Sequence, residues 1–199
     1  MKSLVKHENF SANLTMLISS ILSLVASLVL SIEAVRLAAD SGAKLSCNLS
    51  AVISCGKVAS SWQSNLLGFP NPFIGLICEA VVITIAVSGL LGIKYPKAFY
   101  KVALFFYGAG LVFALWLLTQ SYFVIKAFCP WCLLVTFSTI TVFASMLKIS
   151  LKERAFTFSK NLNEKIDNFY ERGLDIALLS VIYAFLIIAI IAKYHSALF

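Results

Sequence analysis

The sequence predicts an all-α integral membrane protein with five transmembrane helices, and three observations predict this fold class. The 199-residue chain is 60% hydrophobic, and its mean hydropathy is +0.92. Only 13% of its residues are charged, about half the share found in soluble domains. Five apolar runs carry at most one charge each, and each approaches or exceeds the ~17–25 residues that cross a bilayer. A soluble protein with five buried helices is the weaker alternative, because charge-free runs of spanning length are typical of membrane helices.

The apolar runs place the helices along the chain. The runs are 9–32, 72–93, 102–125, 127–147 and 176–192. We expect helices at about 12–36, 72–92, 101–122, 128–148 and 175–193. The first run is longer than the 7–15-residue core of a cleaved signal peptide, which favours an uncleaved first helix. The segment 151–172 mixes both signs of charge, which indicates an interfacial linker helix.

The distribution of positive charge predicts the orientation in the membrane. A cytoplasmic N-terminus puts 11 of the 16 Lys and Arg residues on the inner side, as the positive-inside rule requires. The net charge of +7 then fits anionic lipid at the cytoplasmic face and indicates no nucleic-acid partner. We therefore expect a multi-pass protein whose N-terminus is inside.

Four of the five cysteines fall on the outer side in this orientation. Cys47 and Cys55 lie in the loop between the first two helices, and Cys129 and Cys132 begin the fourth helix. They could form structural disulfides, bind zinc, or act as two redox couples. The C-x7-C spacing is not that of a common zinc site, so we expect no metal. A CxxC disulfide closes a loop too small to stabilise the fold much, which favours redox chemistry.

The residues around the CxxC motif favour a reactive thiol. Pro130 suits the first position of a helix, which puts Cys129 at the N-cap, where the helix dipole favours a thiolate. Lys126 adds positive charge, and both effects lower a thiol pKa. Cys132 lies almost one turn deeper, at the depth of lipid-soluble molecules. The pattern predicts electron flow from a dissolved thiol, through the loop pair and the helix pair, to a quinone in the lipid.

Three stretches resemble the vitamin K epoxide reductase family, and its bacterial branch most closely. They are "CNLSAVISCGKVASSWQ" (47–63), "GFPNPFIG" (68–75) and "CPWC" (129–132). The resemblance covers about residues 12–148. It implies a four-helix transmembrane catalytic bundle that encloses a quinone of the menaquinone or ubiquinone type. Residues 1–148 would form this bundle with an outer loop at 37–71, and 149–199 a cytoplasmic linker and a fifth C-terminal transmembrane helix.

The resemblance also implies an activity and a partner. Bacterial members resemble DsbB in function: they oxidise a DsbA-like thioredoxin-fold protein, which then forms disulfide bonds in exported proteins. This implies the bacterial plasma membrane, with the active cysteines on its outer face. We find no thioredoxin-like domain after the fifth helix and expect the partner to be a separate chain. The alternatives are a quinone or quinone-epoxide reductase that uses thiols, and a non-enzymatic membrane protein with structural disulfides.

Residue roles follow from the same resemblance. Cys47 would exchange with the partner, Cys55 would shuttle between Cys47 and Cys129, and Cys132 would face the quinone. The loop and helix pairs as two disulfides would be one state, and Cys55–Cys129 the intermediate.

Further family positions surround the quinone. Ser61 would lie near it, and the Asn71 side-chain amide would bond a quinone oxygen. Thr136 stands where animal members carry a tyrosine, so warfarin-like binding and epoxide reduction are not expected. Residues 57–67 would form a capping half-helix, with Trp62 as a plug over the quinone.

Two polar residues and the fifth cysteine also allow purely structural interpretations. Asn71 precedes Pro72 and could cap the second helix. Glu79 lies inside an apolar run and would either manage quinone protons or stay protonated and hydrogen-bonded in the bundle. Cys78 is expected to pack as a small apolar residue.

Overall fold

The computed structural model describes residues 9–40, 42–43, 45, 47–48, 50 and 52–198, with side chains as far as Tyr194. Seven α-helices occur in these residues: α1 (Phe10–Ala39), α2 (Cys55–Ala59), α3 (Pro72–Leu90), α4 (Lys97–Thr119), α5 (Pro130–Lys152), α6 (Lys160–Glu171) and α7 (Leu174–Leu198). A 3₁₀ helix covers Trp62–Asn65, and a π-helical turn, Gln120–Ile125, extends α4.

The predicted fold class is confirmed. Five helices of the described chain are long and apolar enough to cross a membrane: Phe10–Ala39, Pro72–Leu90, Lys97–Ile125, Pro130–Lys152 and Leu174–Tyr194. Helix α5 begins two residues later than expected, because residues 127–129 are extended and pair with the loop. It also continues to Lys152, so the proposed domain boundary at 148 lies one turn before its end.

Helix α1 occupies the centre of the bundle, between α3 and α5, while α4 packs on the other side of α5. Four serines spaced along α1 are fully buried: Ser20, Ser23, Ser27 and Ser31. Small residues at this spacing let helices approach closely within a membrane. Gly75 and Gly89 of α3 face α1 so closely that a Cβ at either position would collide with Ser27 or Asn13.

The two ends of the bundle differ in composition. The cysteine end consists of the loop 40–71 and residues 120–129. The opposite end holds the start of α1, the turn 91–96 and the segment 153–173. Ion pairs among the described residues of this end include Lys94–Glu153, Lys148–Asp175 and Arg154–Asp167. Most of the positive residues that predicted the cytoplasmic side therefore lie opposite the cysteines.

Helix α7 runs back along α5 to the cysteine end. Near its middle, the Tyr183 hydroxyl donates to the Phe137 carbonyl at 3.0 Å and bonds Thr141. Near its end, Lys193 donates to the carbonyl of Tyr122. The other face of α7 exposes large apolar side chains, as a lipid-facing helix does. The fifth helix thus lies on the outside of the four-helix bundle.

Candidate functional site

A short backbone pairing joins the loop to the start of α5. Phe128 donates its N–H to the carbonyl of Val52 at 2.7 Å, and Ser54 donates to the carbonyl of Phe128 at 2.9 Å. These two bonds form a parallel bridge between Ile53 and Phe128. Phe128 directly precedes Cys129, and Ile53 lies two residues before Cys55. The pairing therefore brings the loop cysteines to the CxxC motif.

The chain reaches this bridge through unusual backbone at the end of α4. The π-helical turn ends at Lys126, which adopts a left-handed conformation with φ 54°. Non-glycine residues rarely adopt this conformation, and π turns are frequent at functional sites. The turn aims Ala127 and Phe128 away from the helix axis, so that they extend beside the loop.

Three sulfur atoms meet at the bridge. Cys47 and Cys55 form a disulfide bond, and the Cys55 Sγ lies 3.1 Å from the Cys129 Sγ. All three side chains are buried, and their Sγ atoms lie within 4.8 Å of one another. Cys129 and Cys132 are free thiols. The structure thus holds an oxidised loop pair and a reduced helix pair, a combination that differs from both predicted states.

The same sulfur cluster has the spacing of a metal site. Three cysteine ligands within 4.8 Å could hold an ion. Two of the three are joined in a disulfide, however, which leaves Cys129 as the only one able to provide a thiolate. In this redox state the cluster is suited to sulfur exchange.

Cys129 occupies the predicted N-cap of α5. Its sulfur accepts a hydrogen bond from the backbone N–H of Cys132 at 3.3 Å, and Pro130 is the first residue of the helix. The pKa of the Cys129 thiol is lowered from its usual value, chiefly by a hydrogen bond from the Cys132 thiol, although burial opposes the shift. The backbone N–H groups of Trp131 and Cys132 also contribute. Lys126, which the sequence predicted to lower this pKa, is not among the causes of the shift.

Polar bonds fix the loop around Cys55. The Ser54 hydroxyl accepts from the N–H of Lys57 at 3.2 Å and caps α2. The Asn48 side-chain oxygen accepts from the N–H of Gly56 at 2.9 Å and from the Ser54 hydroxyl at 3.1 Å. These bonds hold Cys55 at the start of α2, facing Cys129.

A partly open apolar cavity of about 1050 Å³ lies beneath the sulfur cluster, between α1, α3, α4 and α5. Cys55, Cys129 and Cys132 form part of its wall. The volume is at the upper end of that of small-molecule sites, and mostly apolar walls with a few polar groups are typical of them. The polar side chains that line it include Gln63, Asn71, Glu79, Tyr107, Ser121, Thr136 and Thr139.

Asn71 and Thr136 both line the cavity. The Asn71 amide donates to the carbonyl of Gln63 at 2.7 Å, and its side-chain oxygen accepts from the N–H of Leu66 at 3.3 Å. Asn71 occupies the N-cap position of α3 before Pro72, as the capping interpretation expected, but its side chain makes no cap bond. The Thr136 hydroxyl donates to the carbonyl of Cys132 at 2.9 Å, one turn below that cysteine.

Ser61 and Trp62 are placed differently from the expectation. The Ser61 hydroxyl donates to the carbonyl of Val58 at 2.6 Å, and Ser61 is not among the lining residues, whereas Ser60 and Ser64 are. Trp62 is 65% exposed and packs edge-on against Trp116, so it does not plug the cavity. The expected half-helix at 57–67 is two short helices, α2 and Trp62–Asn65, because the chain bends at Ser60 and Ser61.

Two buried carboxyl groups lie near the cavity or the sulfurs. Glu79 faces the bundle, as the proton hypothesis required, and its Oε2 has no hydrogen-bond partner among the described residues. The Tyr107 hydroxyl is also buried and has no hydrogen-bond partner among the described residues. Sequence reasoning missed Glu33, whose Oε2 lies 3.2 Å from the Cys47 Sγ. Its position just after the first charge-free run was the only available signal.

A membrane helix bundle in which two cysteine pairs meet over an apolar cavity is typical of membrane thiol oxidoreductases. Residues 14–147 match the model of the vitamin K epoxide reductase family. The match spans about two thirds of the sequence, and the chain belongs to this family. A search of curated proteins finds no match. The predicted family is confirmed.

Proposed function

We propose that this protein is a quinone-dependent, protein-disulfide-forming oxidoreductase of the bacterial plasma membrane. The observation that carries the proposal is the 3.1 Å contact between the Cys55 and Cys129 sulfurs, directly above a cavity whose wall includes Cys132. A disulfide that only stabilises the fold does not need a free thiol 3.1 Å from one of its sulfurs. Sulfur exchange between two redox couples does, since it proceeds by thiolate attack on a disulfide.

The proposed exchange begins with a thiolate of the partner attacking the Cys47 sulfur. A partner–Cys47 bond forms, the Cys47–Cys55 bond breaks, and its electron pair leaves on Cys55. The Cys55 thiolate then attacks Cys129 of an oxidised helix pair, and Cys132 leaves as a thiolate. The second partner thiolate closes the partner's own disulfide and releases Cys47.

The remaining exchange restores the loop pair. Cys47 attacks Cys55 of the Cys55–Cys129 bond, and Cys129 leaves as a thiolate. The loop pair is then oxidised and the helix pair reduced, which is the combination found in the structure. The lowered pKa of Cys129 supports its role as the leaving thiolate.

The cavity supports a quinone of the menaquinone or ubiquinone type as the electron acceptor. Its volume and apolar walls fit an aromatic ring with an apolar tail, and Cys132 lies in the wall. Asn71 and Thr136 would hold the ring, while Ser61 would act through the bend that its bond to Val58 stabilises. When bound, a quinone accepts two electrons and two protons and becomes a quinol.

Glu79 would manage protons within the cavity. Its carboxyl group is buried in the bundle and lines the same space as Cys132. Ionisable groups at membrane depth are costly and usually functional. An unpartnered Oε2 is available to a bound molecule or to water in the cavity.

The proposed partner is a DsbA-like thioredoxin-fold protein, supplied as a separate chain on the outer side of the membrane. The segregation of positive residues at the end opposite the cysteines supports an outward-facing cysteine end. No feature of the site calls for nucleic acid, and the membrane supplies both lipid and quinone.

Quinone-dependent oxidation of a reduced thioredoxin-fold protein tests the proposal. The purified protein in detergent should oxidise the partner only when quinone is present, and Cys55→Ala should abolish turnover. Cys78→Ala is the matched control, because it removes a thiol from the cavity wall that lies outside the sulfur cluster. Partner oxidation that persists in Cys55→Ala, or that wild-type protein cannot perform, would contradict the proposal.

A further inference from the structure

A buried carboxyl group touches the loop disulfide. Glu33 lies in the last turns of α1, and only 4% of its surface is exposed. Its Oε2 lies 3.2 Å from the Sγ of Cys47, which is 5% exposed and 14 residues further along the chain. The contact therefore depends on the folding of the loop against α1, and it places an acid at the sulfur that the partner would attack.

The contact can hold one proton in either redox state of Cys47. A disulfide sulfur carries no hydrogen, so a hydrogen bond across this contact requires the proton to be on the Glu33 carboxyl. When Cys47 is a thiol, its S–H can donate to the Glu33 carboxylate instead. The proton can thus move between oxygen and sulfur as the Cys47–Cys55 bond breaks and forms.

We propose that Glu33 is the acid–base group for Cys47 in the exchange of the loop pair. The inference rests on the thiol–disulfide exchange proposed above. When the partner's disulfide closes, Cys47 departs with the electron pair, and Glu33 gives it a proton and becomes a carboxylate. When the Cys47 thiol attacks Cys55, Glu33 takes that proton back, the Cys47–Cys55 bond forms, and Cys129 leaves with the electron pair of the broken bond.

The charge of Glu33 also couples the loop pair to the helix pair. A charged Glu33 raises the pKa of Cys129, because two negative charges repel. In the proposed step Glu33 becomes neutral as Cys129 becomes a thiolate, so the two charges are never present together. Among the residues that the structure describes, the titratable groups facing Glu33 include Cys47 from the loop and Cys129 and Cys132 from α5, while Arg36 on its own helix is exposed.

Two reactions of the full-length protein in detergent separate Glu33 from the quinone chemistry. Multiple-turnover oxidation of dithiothreitol with added quinone requires Cys47 to cycle. Single-turnover quinone reduction by fully prereduced protein requires only Cys129 and Cys132. We expect Glu33→Gln to slow the first reaction about a hundredfold, the lower end of the effect of a positioned acid–base group. The second reaction should not become slower, because the neutral side chain of the Glu33→Gln variant does not oppose a thiolate at Cys129.

Two further variants make the comparison specific. Glu33→Asp keeps a carboxyl group and should turn over faster than Glu33→Gln. Asp40→Asn removes the exposed carboxylate at the end of the same helix and should behave as wild type. A Glu33→Gln variant that turns over like wild type would overturn the proposal. So would equal losses in both reactions, which indicate a structural role. Absence of quinone reduction in wild-type protein would instead contradict the proposed function.

Infrared difference spectroscopy tests the proton itself without requiring a folded variant. Reduction of the Cys47–Cys55 bond in the wild-type protein should remove the C=O band of a protonated carboxyl group and add carboxylate bands. Glutamate labelled with ¹³C should shift both signals. A reduction spectrum without any carboxyl signal would show that no carboxyl proton follows the disulfide, and the proposal would fail.

Discussion

At the residue scale, Cys129 shows how local geometry sets reactivity. Its sulfur caps α5 and receives a hydrogen bond from the Cys132 backbone N–H at 3.3 Å. The largest cause of the lowered pKa of Cys129 is the Cys132 thiol, which donates a hydrogen bond to the Cys129 sulfur. The two cysteines of the CxxC motif are therefore unequal, and Cys129 is the one suited to be a thiolate.

The first prediction concerns the pH dependence of Cys129 labelling. A thiol is unreactive when protonated, so a lowered pKa keeps Cys129 reactive at lower pH than an ordinary cysteine. Removing the hydrogen bond with Cys132→Ala should move the midpoint of iodoacetamide labelling to higher pH. Mass spectrometry of Cys129 peptides in a Cys78→Ala background measures this. Coincident midpoints in the two proteins would contradict the assigned cause.

The second prediction concerns Glu79. If this buried carboxyl group exchanges protons in the cavity, Glu79→Gln keeps its size and loses that ability. Quinone turnover should fall by on the order of tenfold to a hundredfold and its pH dependence should change. Exchange of the loop disulfide with dithiothreitol should be unaffected, because Glu79 is not part of the sulfur cluster. Unchanged turnover with an unchanged pH profile would end the proton hypothesis.

At the scale of elements, the bridge between Ile53 and Phe128 aligns the two cysteine pairs. It consists of two backbone hydrogen bonds, which bring Cys55 next to Cys129, while the side chains of Ser54 and Asn48 fix the start of α2. The left-handed Lys126 and the π-helical turn before it bring Phe128 to this position. The proposed exchange between the pairs would therefore depend on the backbone of two distant segments.

The third prediction breaks this bridge. Ser54→Pro removes the N–H that bonds the Phe128 carbonyl, and the observed φ of −148° does not suit proline. In a Cys47→Ala/Cys132→Ala background, oxidant-driven formation of the Cys55–Cys129 bond should become at least about tenfold slower, since a misplaced group reacts poorly. Ser54→Ala is the control, because it keeps the backbone N–H and loses only the two bonds of the hydroxyl, to the Lys57 N–H and to Asn48. The first of these is the helix cap, worth about 1 kcal/mol. Non-reducing mass spectrometry measures the rate. Equal rates for Ser54→Pro and Ser54→Ala would show that the bridge does not align the sulfurs.

The sequence was enough to predict the helices but only part of the site. Apolar length determines which segments cross a bilayer, so α1, α3, α4, α5 and α7 could be located by counting. Proline at the start of α5 also predicted the Cys129 cap. The bend at Ser60 and Ser61 and the conformation of Lys126 depend on contacts between distant segments. The same is true of the contact between Glu33 and Cys47, which no local pattern indicates.

At the scale of the whole molecule, close packing of α1 on α3 forms one wall of the cavity. Buried serines on α1 and glycines on α3 let the two backbones approach, and the opposite wall is formed by α4 and α5. In a membrane, such packing replaces the hydrophobic effect as the force between helices. The fifth helix lies outside this arrangement, and its polar contacts with the bundle include those of Tyr183 and Lys193 and the Lys148–Asp175 ion pair.

The fourth prediction tests this packing. A Cβ at Gly75 would collide with the Ser27 side chain, so Gly75→Ala should force α1 and α3 apart. Overpacking of this kind costs about 1–3 kcal/mol and should lower the Tm in detergent. Gly110→Ala is the matched control, because nothing lies within 4 Å of a Cβ built there, and alanine favours a helix. A Tm for Gly75→Ala that is as high as that of Gly110→Ala would contradict the close contact.

The central claim is that electrons reach a quinone through Cys132, and one measurement tests it most directly. Purified, prereduced protein in detergent is mixed with a short-chain quinone, and quinol formation is followed in a single turnover. Wild type and Cys78→Ala should reduce the quinone rapidly, while Cys132→Ala should not. Quinone reduction that survives in Cys132→Ala, or that is absent in all three proteins while the disulfide resists dithiol reductant, would contradict the account.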